Sequence, residues 1–356
     1  MLRILDCPAP PAARLHAPAV VPLPRSPLAP SRAVPRCAVP RCAVPRPIAR
    51  RRVGALLLLG GAPYGAACTP SGRRSPEQLP PRVAAASIPD DGAPVDSAAL
   101  AAALARYAAV PDSLFRSGTF TDAGGVRLVY RLLSPPDPRP GARYPLVVVF
   151  HGSGAIGADN AAQLGPFARS WAAPAVRARF PAYVLVPQFP ARSAVYTLGA
   201  GGVPASSRPT EAADAALALL DSIAARLPVD RGRVYAVGFS MGGSTAWHTA
   251  AAAPARFAAA LPIAGVAPDA ADTARVARLA RVPLYVVHGT ADAENPIGPD
   301  RAMAAALRAA GARGLRVWEP VGLDHRVPPA FFVSDAWRAW LFTQRRAATG
   351  TPSAAR

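Results

Sequence analysis

From residue 115 onward the chain alternates short apolar runs with longer stretches in which apolar positions recur at helical spacing. The runs at 118–120, 126–133, 146–150, 183–186, 234–237, 258–263, 284–288 and 315–319 carry the Val, Leu, Ile, Tyr and Phe content of strands, set off by turn-forming segments. The stretches at 210–226, 240–252, 269–279, 301–310 and 329–342 are Ala- and Leu-rich and predict helices. Most of the predicted strands are continuous apolar runs, not alternating ones, so both of their faces are buried. That implies a mostly parallel α/β sheet of about eight strands with helices on both faces. The first two runs stand close together before any crossover helix and suit an antiparallel edge hairpin. Segment 192–209, rich in Gly, Ser and Pro, reads as a variable loop over the cleft. Ligands in such sheets sit at the carboxyl ends of the strands.

Ahead of this pattern the chain has a different character. Residues 1–50 are rich in Pro and Arg and repeat Ala33-Val34-Pro35-Arg36-Cys37 at Ala38–Cys42, a composition that forms no packed core. A start at Val44 or Val53 would leave most or all of it untranslated, a point the N-terminus of the expressed protein decides. Arg50-Arg51-Arg52, a short apolar core to Ala67 and small residues then describe an export signal over 51–68, too short and too broken by Pro63 to span a membrane. Gly65-Ala66-Ala67-Cys68 has the form of a lipobox, with Cys68 the residue to be lipidated. The expected product is an exported protein, attached to a membrane through Cys68 or secreted. Segment 69–112 reads as a linker and a helix near 97–109 with Asp96 or Ser97 as N-cap, 113–345 as the folded α/β domain, and 346–356 as a disordered tail.

The formal charge of +19 invites a nucleic-acid reading, which its distribution opposes. Residues 1–82 hold 13 Arg against 2 acids, and the chain has no lysine at all, so the excess reads as coding bias; no aromatics interleave a basic face. A nucleic-acid partner is therefore not expected. All four cysteines (Cys7, Cys37, Cys42 and Cys68) precede residue 69, so the predicted domain has no disulfide and no thiol nucleophile. The sequence offers no cluster at metal-ligand spacing and no cofactor motif.

The candidate chemistry falls at predicted strand ends. Gly238-Phe239-Ser240-Met241-Gly242 lies between a strand and a helix, the layout of a nucleophile elbow that exposes a serine hydroxyl above the sheet. Side chains at the flanking glycines would collide with the neighbouring strand and helix. His151-Gly152-Ser153-Gly154 follows the strand at 146–150, and its turn offers the Ser153 N–H as a second oxyanion donor beside the Met241 N–H, with Gly154 next. Elimination among five histidines selects the base. His16 is in the tail; His151 and His288 end strands and order their loops; His248 is two helical turns beyond Ser240, about 12 Å along the axis. His325, in Gly322-Leu323-Asp324-His325, is left. Asp292, in His288-Gly289-Thr290-Ala291-Asp292, follows a strand between serine and histidine and is the expected acid, with Glu294 and Glu319 as rivals and Asp324 poorly placed.

The order Ser240, Asp292, His325, with the motifs HGSG, GFSMGG, HGTAD and GLDH, resembles the α/β-hydrolase superfamily over residues 143–342. More narrowly, Val184-Leu185-Val186-Pro187-Gln188 and Trp247 resemble secreted esterases of the polyhydroxybutyrate depolymerase, feruloyl esterase and "predicted peptidase" group, near dienelactone-hydrolase-like proteins. The resemblance implies a metal-free serine hydrolase of carboxylic esters, with Gln188 and His151 near a cleft for a small-molecule, polysaccharide-linked or polyester substrate. The same triad would serve a peptidase or amidase. A surface lipoprotein that binds polysaccharide or polyester without turnover is the reading from a different class.

Overall fold

The computed structural model describes residues 95–346; the expectations for the export signal, Cys68, the Pro/Arg-rich segment and the tail from 347 onward fall outside them. Eight strands form one sheet: β1 (Phe115–Thr121), β2 (Arg127–Leu133), β3 (Tyr144–Phe150), β4 (Tyr183–Gln188), β7 (Val229–Phe239), β8 (Ala259–Ile263), β9 (Leu284–Val287) and β10 (Leu315–Trp318). They stand in the order β1-β2-β4-β3-β7-β8-β9-β10. β1 pairs with β2, and β2 with β4, in antiparallel fashion; the other pairings are parallel. The eight expected strands and the antiparallel edge hairpin are thus all present.

Two further strands, β5 (Ala194–Leu198) and β6 (Pro204–Pro209), make an antiparallel hairpin where the sequence reads as a loop. The Gly199–Gly202 turn and two flanking prolines gave the segment a loop's composition, yet proline is compatible with a strand that has no second neighbour. This hairpin is pinned from inside: Ser207 Oγ donates to Val266 O at 2.5 Å and accepts from His248 Nε2 at 2.8 Å. None of its residues lines the cavity beside Ser240.

The helices are α1 (Ser97–Ala108), α2 (Pro166–Arg169), α3 (Pro174–Arg179), α4 (Glu211–Arg226), α5 (Met241–Ala252), α6 (Thr273–Leu279), α7 (Gly298–Ala309), α8 (Ala330–Val333) and α9 (Ala336–Thr343). Asp96 caps α1, its Oδ1 accepting from Ala98 N at 3.0 Å. The expected 329–342 helix is two pieces, broken at Ser334 and Asp335. The short α2 and α3, each opened by a proline at its first turn, had no periodic stretch long enough to announce them.

Alternation along β3 shows how the layers are built. Leu146, Val148 and Phe150 enter one apolar cluster with α4, α5, α6 and α7, including Leu219, Trp247, Leu279 and Met303. Val147 and Val149 enter the other, with Trp171, Val176, Phe331 and Trp337 from the α2–α3 and α8–α9 regions. All seven residues of β3 are buried, and each large apolar side chain so placed contributes about 1.5–3 kcal/mol. The rigid centre of the sheet, β3 and β7, carries the two turns on which the site is built.

Candidate active site

Ser240 stands between β7 and α5 with φ 58° and ψ −123°, a left-side conformation that costs a non-glycine residue about 1–3 kcal/mol. Its surroundings hold it there: Ser240 N–H donates to Ile263 O at 2.9 Å, and Ser240 O accepts from Ser244 N at 3.0 Å. The flanking glycines are required by contact with backbone. A Cβ at Gly238 would lie 2.1 Å from Gly242 O, and one at Gly242 would lie 2.1 Å from Phe150 O. The collisions expected from the pentapeptide are therefore real, and they are with main chain that has nowhere to move.

His325 and Asp292 arrive on two loops that are stitched together beyond β9 and β10. Ala291 N–H donates to Leu323 O at 3.0 Å, Thr290 N–H to Pro320 O at 3.1 Å, and Gly322 N–H to Thr290 Oγ1 at 2.9 Å. The result is a continuous chain of polar contacts. His325 Nε2 lies 2.8 Å from Ser240 Oγ, and His325 Nδ1 lies 2.7 Å from Asp292 Oδ2. Asp292 Oδ1 is held in turn by the N–H groups of Glu294 at 3.0 Å and Asn295 at 2.8 Å. Burial works against the Asp292 charge, but donors from His288, His325 and Asn295 outweigh it and hold the carboxyl well below the usual carboxylate range. Phe239 packs against the His325 ring at 5.0 Å between centroids.

The rival acids are occupied or remote. Glu319 forms an ion pair with Arg301 at 2.6 Å, and Asp324 pairs with Arg326. Glu294 approaches His325 Nε2 only to 3.7 Å and is 76 % exposed.

Ser153 and Met241 open the first turns of a 3₁₀ segment (Ser153–Ala155) and of α5, so helix geometry gives their N–H groups no partner within the turn. Gly152 brings the first of these turns against the serine: a Cβ there would lie 3.5 Å from Ser240 Cβ. His151 anchors the turn. Its Nε2 accepts from Phe189 N–H at 3.0 Å, so Nδ1 carries the proton and donates to Gly152 O at 2.7 Å. Burial lowers its pKa and keeps the ring neutral, though the Gly152 carbonyl pulls the other way. His151 also lines the cavity beside Ser240.

Gln188 does not line that cavity. It is fully buried at the end of β4 and braces the turn from below. Its Oε1 accepts from Asn160 N–H at 2.6 Å, and its Nε2 donates to Asp159 Oδ1 at 2.9 Å and Ala155 O at 3.2 Å. The expected place near the cleft is thus occupied from beneath: at 0 % exposure and with three partners, the carboxamide faces the turn and not the cavity.

One part of the site has no counterpart in the sequence reading. His288, 2 % exposed, sits behind Asp292, with Nε2 3.3 Å from Asp292 Oδ2 and 2.7 Å from Asn295 O. Its Nδ1 lies 2.9 Å from Asp300 Oδ2, and Asp300 Oδ1 accepts from Trp247 Nε1 at 3.2 Å. Burial would lower the His288 pKa, but Asp292 and Asp300 push it up to about 10. Asp300, wholly enclosed, is pushed upward by its own burial, so this buried pair holds its proton tightly. A loop-ordering role for His288 captures only the Asn295 bond. Asp300 gave no signal, because an acid in the first turn of a helix ordinarily reads as a complement to the helix dipole.

The fold and these strand-end positions define an α/β-hydrolase. Residues 127–339 match the esterase family described as "Putative esterase", and the chain belongs to that family. Among solved structures it is similar to a thermostable esterase, with 32 % identity, a TM-score of 0.59, and 66 % of this chain and 64 % of that chain covered. This chain thus spans less than two thirds of the length of that esterase. It is also similar to Porphyromonas gingivalis dipeptidyl peptidase 4, with 16 % identity, a TM-score of 0.49, and 65 % and 35 % of the two chains covered. No curated protein sequence matches the chain significantly.

Proposed function

We propose that this protein is a serine hydrolase that cleaves carboxylic esters through Ser240, His325 and Asp292. The observation that carries the reading is the unbroken 2.8 Å and 2.7 Å relay from Ser240 Oγ through the His325 ring to Asp292. Asp292 accepts from Nδ1–H and so leaves Nε2 as the base facing the serine hydroxyl.

In the first half-reaction His325 Nε2 takes the hydroxyl proton as Ser240 Oγ bonds to the acyl carbon. The oxyanion forms against the Ser153 and Met241 N–H groups. Collapse expels the alcohol, which leaves with the proton from His325, and an acyl-Ser240 ester remains. Water then attacks that ester with His325 again as base, regenerating the serine and releasing the acid. Asp292 stays ionised throughout and stabilises the imidazolium.

Membership of the esterase family favours an ester over an amide leaving group, although the same geometry would serve either. Hydrolysis of p-nitrophenyl acetate or butyrate by the purified protein, lost in Ser240→Ala, is the expected result, together with labelling of Ser240 by a fluorophosphonate. A folded protein that labels but turns over no ester in an acyl panel would move the reading to an amidase. One that neither labels nor turns over would leave the non-catalytic binding reading. Export and lipidation at Cys68 belong to the same proposal, and mass spectrometry of the mature N-terminus tests them.

A further inference from the structure

Beside Ser240 lies a cavity of about 520 Å³, within the range typical of small-molecule sites. Gly152, Phe239 and His325 all line it, and these same three residues bracket the serine. The far wall is apolar and comes partly from a distant place in the chain: Leu100 and Leu104 of α1 face it together with Phe167, Val327 and Phe332. α1 lies outside the 127–339 region shared with the family. The wall thus joins Leu100 and Leu104, from outside the matched region, to Phe167, Val327 and Phe332 from within it.

The wall is fixed in place. Ala103 and Tyr107, on the inner side of α1, are buried, and Tyr107 Oη donates to Phe332 O at 2.8 Å. Below the helix, Arg169 forms an ion pair with Asp112 at 2.5 Å and bonds Val110 O. Leu100 and Leu104 lie four residues apart, so they stack on one face of the helix and present a continuous aliphatic strip to the cavity.

We propose that this cavity holds an apolar hydrocarbon arm of the ester substrate, and that Leu100 and Leu104 of α1 set the length of arm it accepts. The inference rests on the esterase reading of the site. Its chemistry follows from the lining: a buried methylene gains about 0.8 kcal/mol, so each added carbon that still fits raises kcat/KM roughly fourfold until the arm meets the α1 wall. The arm is either the acyl chain or the alkyl chain of the alcohol, and two substrate series separate them.

The experiment measures kcat/KM for p-nitrophenyl acetate, butyrate, hexanoate, octanoate and decanoate, and for methyl to octyl acetates, on the full chain and on Leu104→Trp. One series is expected to climb with chain length and then fall, and Leu104→Trp to shift its optimum at least two carbons shorter, lowering the octyl-to-ethyl ratio tenfold or more. A rise in the first series assigns the acyl arm, a rise in the second the alcohol arm. Ala102→Trp, on the exposed side of α1, serves as the folding control and leaves the chain-length profile unchanged. Flat profiles in both series with acetate still hydrolysed, or an optimum unmoved by Leu104→Trp, overturn the proposal while leaving the esterase reading intact. No turnover of any ester overturns the esterase reading itself. Should Leu104→Trp fail to fold, Leu100→Ala provides the complementary test, its optimum moving to longer arms.

Discussion

His288 and Asp300 meet at 2.9 Å where neither side chain is more than 3 % exposed, directly behind the carboxylate that His325 engages. The contact couples the candidate acid to α7 and, through Asp300, to Trp247 on α5. Removing one partner of such a pair strands the other without solvent. Asp300→Asn is therefore expected to destabilise the protein by about 3–5 kcal/mol, read as a lower urea midpoint at unchanged slope. Arg301→Gln, which breaks an exposed pair with Glu319 one residue further on, leaves the midpoint unmoved. Equal effects of the two substitutions would contradict a structural role for the buried pair.

The same pair makes alkaline pH destabilising. His288 has a folded pKa of about 10 against an ordinary value of 6.5, so the folded state holds a proton that the unfolded chain has released. Its contribution is complete below pH 6.5 and is lost as pH rises through about 10. Within that window stability falls by up to about 1.4 kcal/mol per pH unit from this group. Melting temperatures measured from pH 6.5 to 10 should decline more steeply in the wild-type protein than in His288→Gln. Parallel curves would show that the proton is not held by this site.

Gln188 yields a prediction opposite to that for a cleft residue. Its amide bonds Ala155, at the end of the Ser153 turn, and Asp159 and Asn160 on the segment that follows it. Gln188→Met keeps the volume but leaves Asn160 N–H and Ala155 O without their partner, at about 1–3 kcal/mol for each one left buried and unpaired, while the exposed Asp159 carboxylate keeps its Ala161 and Ala162 donors. The expected signature is a lower melting temperature with kcat reduced and KM little changed, since the loosened turn presents the Ser153 N–H imprecisely while the apolar cavity is untouched. A selective rise in KM would instead return Gln188 to substrate contact.

What could be read in advance followed from what composition reports. Runs such as Leu146–Phe150 are apolar because both faces are covered, so their burial and mostly parallel pairing were legible, as was the antiparallel edge, whereas the order of the strands across the sheet was not. The juxtaposition of Ser240, Asp292 and His325 was legible because each follows a strand and the fold places strand ends together. The β5–β6 hairpin was hidden because Gly, Ser and Pro report turn chemistry and give no account of pairing. The Trp247–Asp300–His288 network was hidden for a deeper reason: it joins a helix tryptophan, a first-turn acid and a strand-end histidine whose separate local meanings are ordinary. Such contacts exist only in three dimensions. Gln188 shows the remaining limit, since nearness to a cleft does not tell whether a side chain faces the ligand or the loop beneath it.

The choice of Asp292 over Glu294 is open to a direct kinetic test. Asp292 Oδ2 lies 2.7 Å from His325 Nδ1, the nitrogen whose proton must be fixed, whereas Glu294 Oε2 lies 3.7 Å from Nε2, the nitrogen that must stay free to accept. Asp292→Asn offers a neutral amide that can donate to Nδ1 and so favours the tautomer protonated on Nε2, which cannot take the serine proton. By the behaviour of such triads kcat should fall about 10⁴-fold, equivalent to about 5.5 kcal/mol of transition-state stabilisation. Glu294→Gln removes only an exposed carboxylate and should change kcat by less than about threefold. Hydrolysis of p-nitrophenyl butyrate by both variants, with circular dichroism to verify folding, decides between them. A large loss in Glu294→Gln with activity retained in Asp292→Asn would mean that the proton on His325 is held from the opposite side.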